Sequence, residues 1–129
     1  MPHFRKGPIQ DFSWGKFIVN DKEHSENGKV IGCGKDIRMV GDKVTSWEER
    51  EGHLLKKSMI TGIYDQGINI LVLGVGVESA VKCPRKVVKA IRKHGIKRVI
   101  VKATPEACKV YNKLYSRGKK VALLAHGTC

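Results

Sequence analysis

The longest apolar run without alternation is Asn-Ile-Leu-Val-Leu at 69–73, and it stops at Gly74-Val75-Gly76. Apolar residues at successive rather than alternate positions suit a strand covered on both faces, so a buried parallel strand is predicted. Pro84 opens the next segment, in which Val87, Val88 and Ile91 fall at helical spacing and His94-Gly95 closes the helix. Residues 96–101 supply another strand, which completes a βαβ unit. Thr104-Pro105-Glu106 then places a hydroxyl at N-cap, proline at N1 and a carboxylate in the first turn of a further helix. Ala107, Val110, Tyr111 and Leu114 form its apolar stripe, Gly118 ends it, and 121–125 read as a final strand.

The first half has shorter periods. Residues 11–45 read as short strands broken by turns. Trp14-Gly15-Lys16-Phe17-Ile18-Val19 runs into the polar Asn20-Asp21-Lys22, which predicts a hairpin. Lys29-Val30-Ile31 is a further candidate strand, and Asp36-Ile37-Arg38-Met39-Val40 turns through Gly41-Asp42-Lys43 into Val44-Thr45-Ser46-Trp47. After a charged loop, Ser58 is expected to cap a short helix carrying Met59, Ile60 and Ile63 and ending at Gly67. The fold class that follows is α/β: a single three-layer domain over 11–129, with a parallel βαβαβ core at about 68–129. Antiparallel N-terminal strands extend its sheet or fold over one face. Residues 1–10 are read as a basic N-terminal arm, open to disorder.

A chain of 129 residues fits one core without disulfide staples. No stretch approaches the roughly 18 apolar residues needed to cross a bilayer, and no apolar segment follows the basic start, so a cytoplasmic protein is expected. Cys33, Cys83, Cys108 and Cys129 form no CxxC pair, so reduced thiols are expected and neither a metal nor a cofactor is assigned. Charge changes the picture most. Residues 1–67 hold 11 Lys/Arg against 10 Asp/Glu, whereas 68–129 hold 14 against 2. Such asymmetry attracts polyanions, although a solvated Lys-rich surface gives the same count.

Open α/β sheets bind ligands beyond the C-terminal ends of their parallel strands. The cleft candidates there are Gly74 and Gly76 of the turn, Lys102 and Thr104 at the start of the later helix, Asn112, and His126 after the last strand. The glycines lack the third member of a dinucleotide fingerprint, and a sharp exit from the sheet explains them better than phosphate binding does. Lys82, Arg85, Lys86, Lys89, Arg92 and Lys93 make a basic helix face. No aromatic residue is interleaved with them, so nucleic-acid binding through this face is expected to be electrostatic and unspecific. No catalytic residues are assigned. Cys129 lies three residues from His126, but on a continued strand the two would face opposite sides, and a thiol beside the α-carboxylate of the last residue is a poor nucleophile. Asp36 and His53 are within reach of a cleft, but each reads first as a turn or surface group.

Trp14-Gly15, Lys35-Asp36-Ile37, Trp47 with Arg50 and Gly52-His53, and the 71–76 strand and turn form one ordered set of short motifs with Pro84 and His94-Gly95-Ile96. Thr104-Pro105-Glu106-Ala107, Val110-Tyr111-Asn112 and His126-Gly127-Thr128-Cys129 complete it. In these the chain resembles a family of small domains of unknown function that includes the adipogenesis-associated domain protein and an assembly factor of mitochondrial respiratory complex I. The resemblance implies a three-layer α/β fold with a β-rich N-terminal portion. It implies no reaction, and it favours a binding role. Together with the Gly-rich cleft and the basic face, this gives the expectation of a non-enzymatic binding or assembly module that uses both to hold a protein partner or acidic ligand. A small-ligand or nucleotide-binding enzyme and an unspecific nucleic-acid binder stand as alternatives.

Overall fold

The structure is a computed structural model that describes residues 4, 6–25 and 35–129. Three short strands, β1 (Ile9–Ser13), β2 (Lys16–Val19) and β3 (Lys22–Ser25), form an antiparallel meander. Asn20 and Asp21 both take positive φ, 49° and 66°, which is the two-residue hairpin turn whose twist matches its flanking strands. Alternation puts Phe12, Phe17 and Val19 on the inner side, with the two phenyl rings 4.8 Å apart. Phe4 packs against the same core. The candidate strand Lys29-Val30-Ile31 and Cys33 lie outside the described residues.

The hairpin of β4 (Ile37–Val40) and β5 (Lys43–Ser46) forms as its turn residues predict. The short helix expected after Ser58 does not. Its place is taken by a single 3₁₀ turn, Lys57–Met59, in which Ser58 is an interior residue rather than a cap. Gly62, Asp65 and Gly67 all adopt positive φ, so the backbone cannot continue as a right-handed helix, although Met59, Ile60 and Ile63 are buried as their apolarity demands. Trp47 donates its indole N–H to the Met59 carbonyl at 2.8 Å and holds this segment against the sheet.

The second half follows the predicted order: β6 (Ile70–Val75), α1 (Arg85–Lys93), β7 (Arg98–Lys102), α2 (Thr104–Ser116) and β8 (Val121–His126). The five-stranded sheet runs β5-β4-β8-β6-β7, with β8, β6 and β7 parallel and β4 antiparallel to both its neighbours. From β6 the chain steps outward to β7 and then returns across β6 to β8. Right-handed crossovers in opposite directions put the two helices on opposite faces of the sheet. The burial agrees. Val87 and Ile91 of α1 join Leu71, Leu73 and Leu124 in one core, while Tyr111 and Leu114 of α2 join Val72, Leu123 and the β1–β3 meander in the other. The N-terminal strands thus do both things expected of them: β4 and β5 extend the sheet, and β1–β3 cover one face.

Candidate functional site

The reversal at β6 gathers the C-terminal ends of β6, β7 and β8, the start of α2 and the start of β4 at one end of the sheet. Thr104 ties them together. Its hydroxyl accepts from the Gly76 amide at 2.9 Å and donates to the His126 carbonyl at 2.6 Å, and its own amide donates to the Gly76 carbonyl at 3.0 Å. This corrects the N-cap assignment: α2 begins at Thr104 with Ala103 at the cap position, and the hydroxyl is spent on the sheet rather than on the helix. Gly74 has the Thr104 hydroxyl and the Ala107 and Ala125 side chains 3.1–3.3 Å from where a Cβ would sit, so its lack of a side chain is a packing requirement.

The crevice at the glycine turn is occupied by the chain itself. Residues 127–129 lie across it, with the Thr128 carbonyl accepting from Val77 N at 2.6 Å and the Cys129 carbonyl from Glu78 N at 3.2 Å and Ala80 N at 3.0 Å. A Cβ on Gly76 would overlap the Cys129 backbone, and φ there is +102°. The backbone donors that a phosphate would use at this turn are therefore engaged by Thr128 and Cys129.

The seating of residues 127–129 assembles a polar cluster. The antiparallel register pairs Ile37 with Ala125, so Asp36 arrives beside His126. One Asp36 oxygen accepts from His126 Nδ1 at 2.9 Å and from the Gly127 amide at 3.0 Å, and the other accepts from Arg50 Nε at 2.5 Å. Burial acts to raise the pKa of Asp36, but these hydrogen bonds outweigh it and hold the carboxyl below its ordinary value. Since a carboxylate only accepts, the proton of a neutral His126 sits on Nδ1, and Nε2 presents a lone pair 3.1 Å from the Thr128 hydroxyl and 4.0 Å from Cys129 Sγ. Arg50 also donates to the Gly52 carbonyl, which fixes the loop that carries His53. The Lys82 amide donates to the His53 carbonyl at 2.7 Å, and His53 Nε2 lies 3.4 Å from Cys129 Sγ.

His126 and Cys129 thus approach one another, contrary to the expectation from strand alternation. The strand ends at His126, and Gly127 turns where a Cβ would collide with the Lys35 carbonyl, so alternation no longer applies at position 129. Asp36 and His53, read as turn or surface groups, both belong to the cluster. Of the sequence-based cleft candidates, Gly74, Gly76, Thr104 and His126 come together. Lys102 is exposed at the end of the edge strand β7. Asn112 lies two turns along α2, where its Oδ1 accepts from Ile9 N at 3.1 Å and its Nδ2 donates to Ile9 O at 2.7 Å, clamping β1 to the helix.

The basic residues Lys82, Arg85, Lys86, Lys89, Arg92 and Lys93 are all exposed, and no ion pair to any of them is found among the described residues. Val87 and Ile91 face the core from the other side of α1. Tyr64 is stacked on His94 at the end of this helix, with ring centroids 4.0 Å apart. At the cluster end, Trp14 is 59% exposed and borders an open pocket of about 420 Å³ with Lys16, Ser25 and Thr128.

Residues 9–126 match a family described as proteins of unknown function, DUF498/DUF598. The chain belongs to the DUF498/DUF598 family. Solved structures similar to this DUF498/DUF598 domain include a conserved hypothetical protein from Pyrococcus horikoshii, at TM-score 0.72 and 19% identity over 94% of this chain and 98% of that one. A structure from Bartonella henselae described as an outer membrane protein matches at TM-score 0.75 and 19% identity over 99% and 98%. A Mth938-like domain from Bordetella pertussis matches at TM-score 0.60 and 16% identity over 94% and 85%. These likenesses establish the fold of the DUF498/DUF598 domain. No helix among its described residues is long and apolar enough to cross a membrane.

Proposed function

We propose that this domain is a non-enzymatic binding or assembly module that recognises an acidic protein surface through the exposed face of α1. The observation that carries the reading is the row of six exposed cations on and just before α1, unmatched by any acidic partner among the described residues. A long-range field of one sign raises the encounter rate with an acidic partner and disfavours basic ones. The resemblance to the branches containing the adipogenesis-associated domain protein and the complex I assembly factor supports an assembly role. A cytoplasmic setting suits the free thiols of Cys83, Cys108 and Cys129. The glycine turn takes a structural part in this reading, because residues 127–129 already use its amides.

Nucleic acid is the rival polyanion. It is disfavoured because no Phe, Trp or Tyr is interleaved with the cations along α1 and Tyr64 at the helix end is already stacked on His94, since single-strand binders add stacking of about 1–3 kcal/mol per base to their charge. The experiment is capture from the source lysate at physiological salt, comparing the natural chain with the triple variant K86E/K89E/K93E, each with and without nuclease. The expected result is an acidic protein retained by the natural chain, lost by the variant and indifferent to nuclease. Retention that nuclease abolishes, or that the charge reversal leaves intact, would refute the proposal.

A further inference from the structure

We infer that His53 Nε2, His126 Nε2 and Cys129 Sγ bind one transition-metal ion of borderline softness, Zn²⁺ in the first instance, with a fourth coordination position left open. The three donor atoms come from separate parts of the fold, the loop after β5, the end of β8 and the segment beyond it, yet all lie within 4.8 Å of one another. A tetrahedral Zn²⁺ with metal–nitrogen bonds of about 2.05 Å and a metal–sulfur bond of about 2.3 Å holds its nitrogen and sulfur ligands about 3.6 Å apart. The observed sulfur-to-nitrogen distances of 3.4 and 4.0 Å bracket that value.

The surroundings are those of a metal ligand set rather than of a chance contact. Metal-binding histidines commonly donate their second ring N–H to a carboxylate, which fixes the tautomer and aims the free lone pair. Asp36 does this for His126, and its own charge is committed to Arg50 and the Gly127 amide, so it serves as the orienting group and not as a ligand. Two imidazole nitrogens and one thiolate suit Zn²⁺ and its neighbours, and do not suit Mg²⁺ or Ca²⁺, which take oxygen ligands. His126 is buried, Cys129 is half-buried and His53 is exposed, so the open position faces solvent. The Thr128 hydroxyl, now on His126 Nε2, turns aside when the ion enters. Binding replaces the thiol proton with the metal and releases it to solvent. Three protein ligands plus one exchangeable position is the arrangement of zinc sites that bind or activate a small molecule. The inference does not depend on the basic face.

The test is titration of the full-length, metal-free chain with Co²⁺ as a spectroscopic probe, followed by displacement with Zn²⁺. One equivalent is expected to produce a thiolate-to-cobalt charge-transfer band that Zn²⁺ abolishes. Cys129→Ser removes the band. His53→Ala weakens binding at least tenfold, since even the loss of an outer-shell partner costs about 10–100-fold. As a measurement on the unaltered chain, Zn²⁺ is expected to slow alkylation of Cys129 at least tenfold, read at the peptide level so that the other thiols do not interfere. A chain that shows no band, or that binds no more tightly than the double variant H53A/C129S, overturns the inference. So does a Cys129 thiol alkylated at the same rate with and without Zn²⁺.

Discussion

Asp36 sits 7% exposed at the start of β4 and carries its charge into the interior because three donors meet it there. Removing one member of such a buried set leaves the others unpaired, at a cost of about 3 kcal/mol or more. Its folded pKa lies below the ordinary value of 3.8, so the unfolded chain takes up the proton more readily. The stabilisation is therefore fully present above the unfolded value and is lost as pH falls through it toward the folded value. Asp36→Asn is expected to lower stability at pH 7 by about 3 kcal/mol and to flatten the acid limb of the stability curve below about pH 4, both measured by urea unfolding at a series of pH values. An acid limb unchanged in the variant would show that Asp36 is not the group responsible. Little of this residue's role was legible in the sequence: Lys35-Asp36-Ile37 reads as a turn entering a strand, and its partners stand 14 and 90 positions away. For Cys129 a signal was present. Gly127 directly after an apolar strand marks the place where alternation ceases, and with it the argument that set positions 126 and 129 on opposite faces.

Elements were legible wherever their period was long. The apolar run at 70–75 reads as a doubly covered strand and is one, whereas the return across β6 to β8 was not legible, because crossovers of one hand can step in either direction along a sheet. The segment after Ser58 was not legible, because burial of Met59, Ile60 and Ile63 mimics a helical stripe while the backbone around them is set by positive φ at Gly62, Asp65 and Gly67. Asn112 teaches the reverse lesson. A polar residue on the buried side of α2, adjacent to Tyr111, invites a ligand-binding reading, yet both ends of its amide are bound to the main chain of Ile9. The clamp joins the meander to the main body. Asn112→Ala leaves a buried amide and carbonyl unpaired, and the expected loss is about 2 kcal/mol or more. Hydrogen exchange is the discriminating measurement: protection should fall first in β1 and β2 while β6 and β8 keep theirs. Uniform loss across both sheets would mean that the clamp does not hold the meander separately.

At the scale of the whole molecule the question is whether the basic half is a solvated surface or a functional one, and stability and binding measured together separate the two. Charge-rich surfaces that stabilise do so through networks of mixed sign. The α1 face has one sign only. Lys89 has Arg85, Lys86, Arg92 and Lys93 at i−4, i−3, i+3 and i+4, so every charged neighbour it meets along the helix repels it. Like-charge pairs at these spacings each destabilise a helix by about 0.2–0.5 kcal/mol. Lys89→Glu turns four repulsions into four attractions and lowers a net charge of +13. Stability is expected to rise by about 2 kcal/mol, the low end of that sum, which for a chain of this length raises the melting temperature by about 8 °C. The same substitution is expected to weaken capture of the acidic partner, so that the stabler molecule is the poorer binder. A surface retained for solubility alone would gain the same stability, but no binding would be lost with it. Thermal unfolding of Lys89→Glu at low and at 0.5 M salt decides the first half, because the gain must shrink as the Debye length falls to about 4 Å. A gain that persists undiminished in salt would have to come from something other than relief of this repulsion, and the argument that α1 keeps its cations at the expense of stability would fail with it.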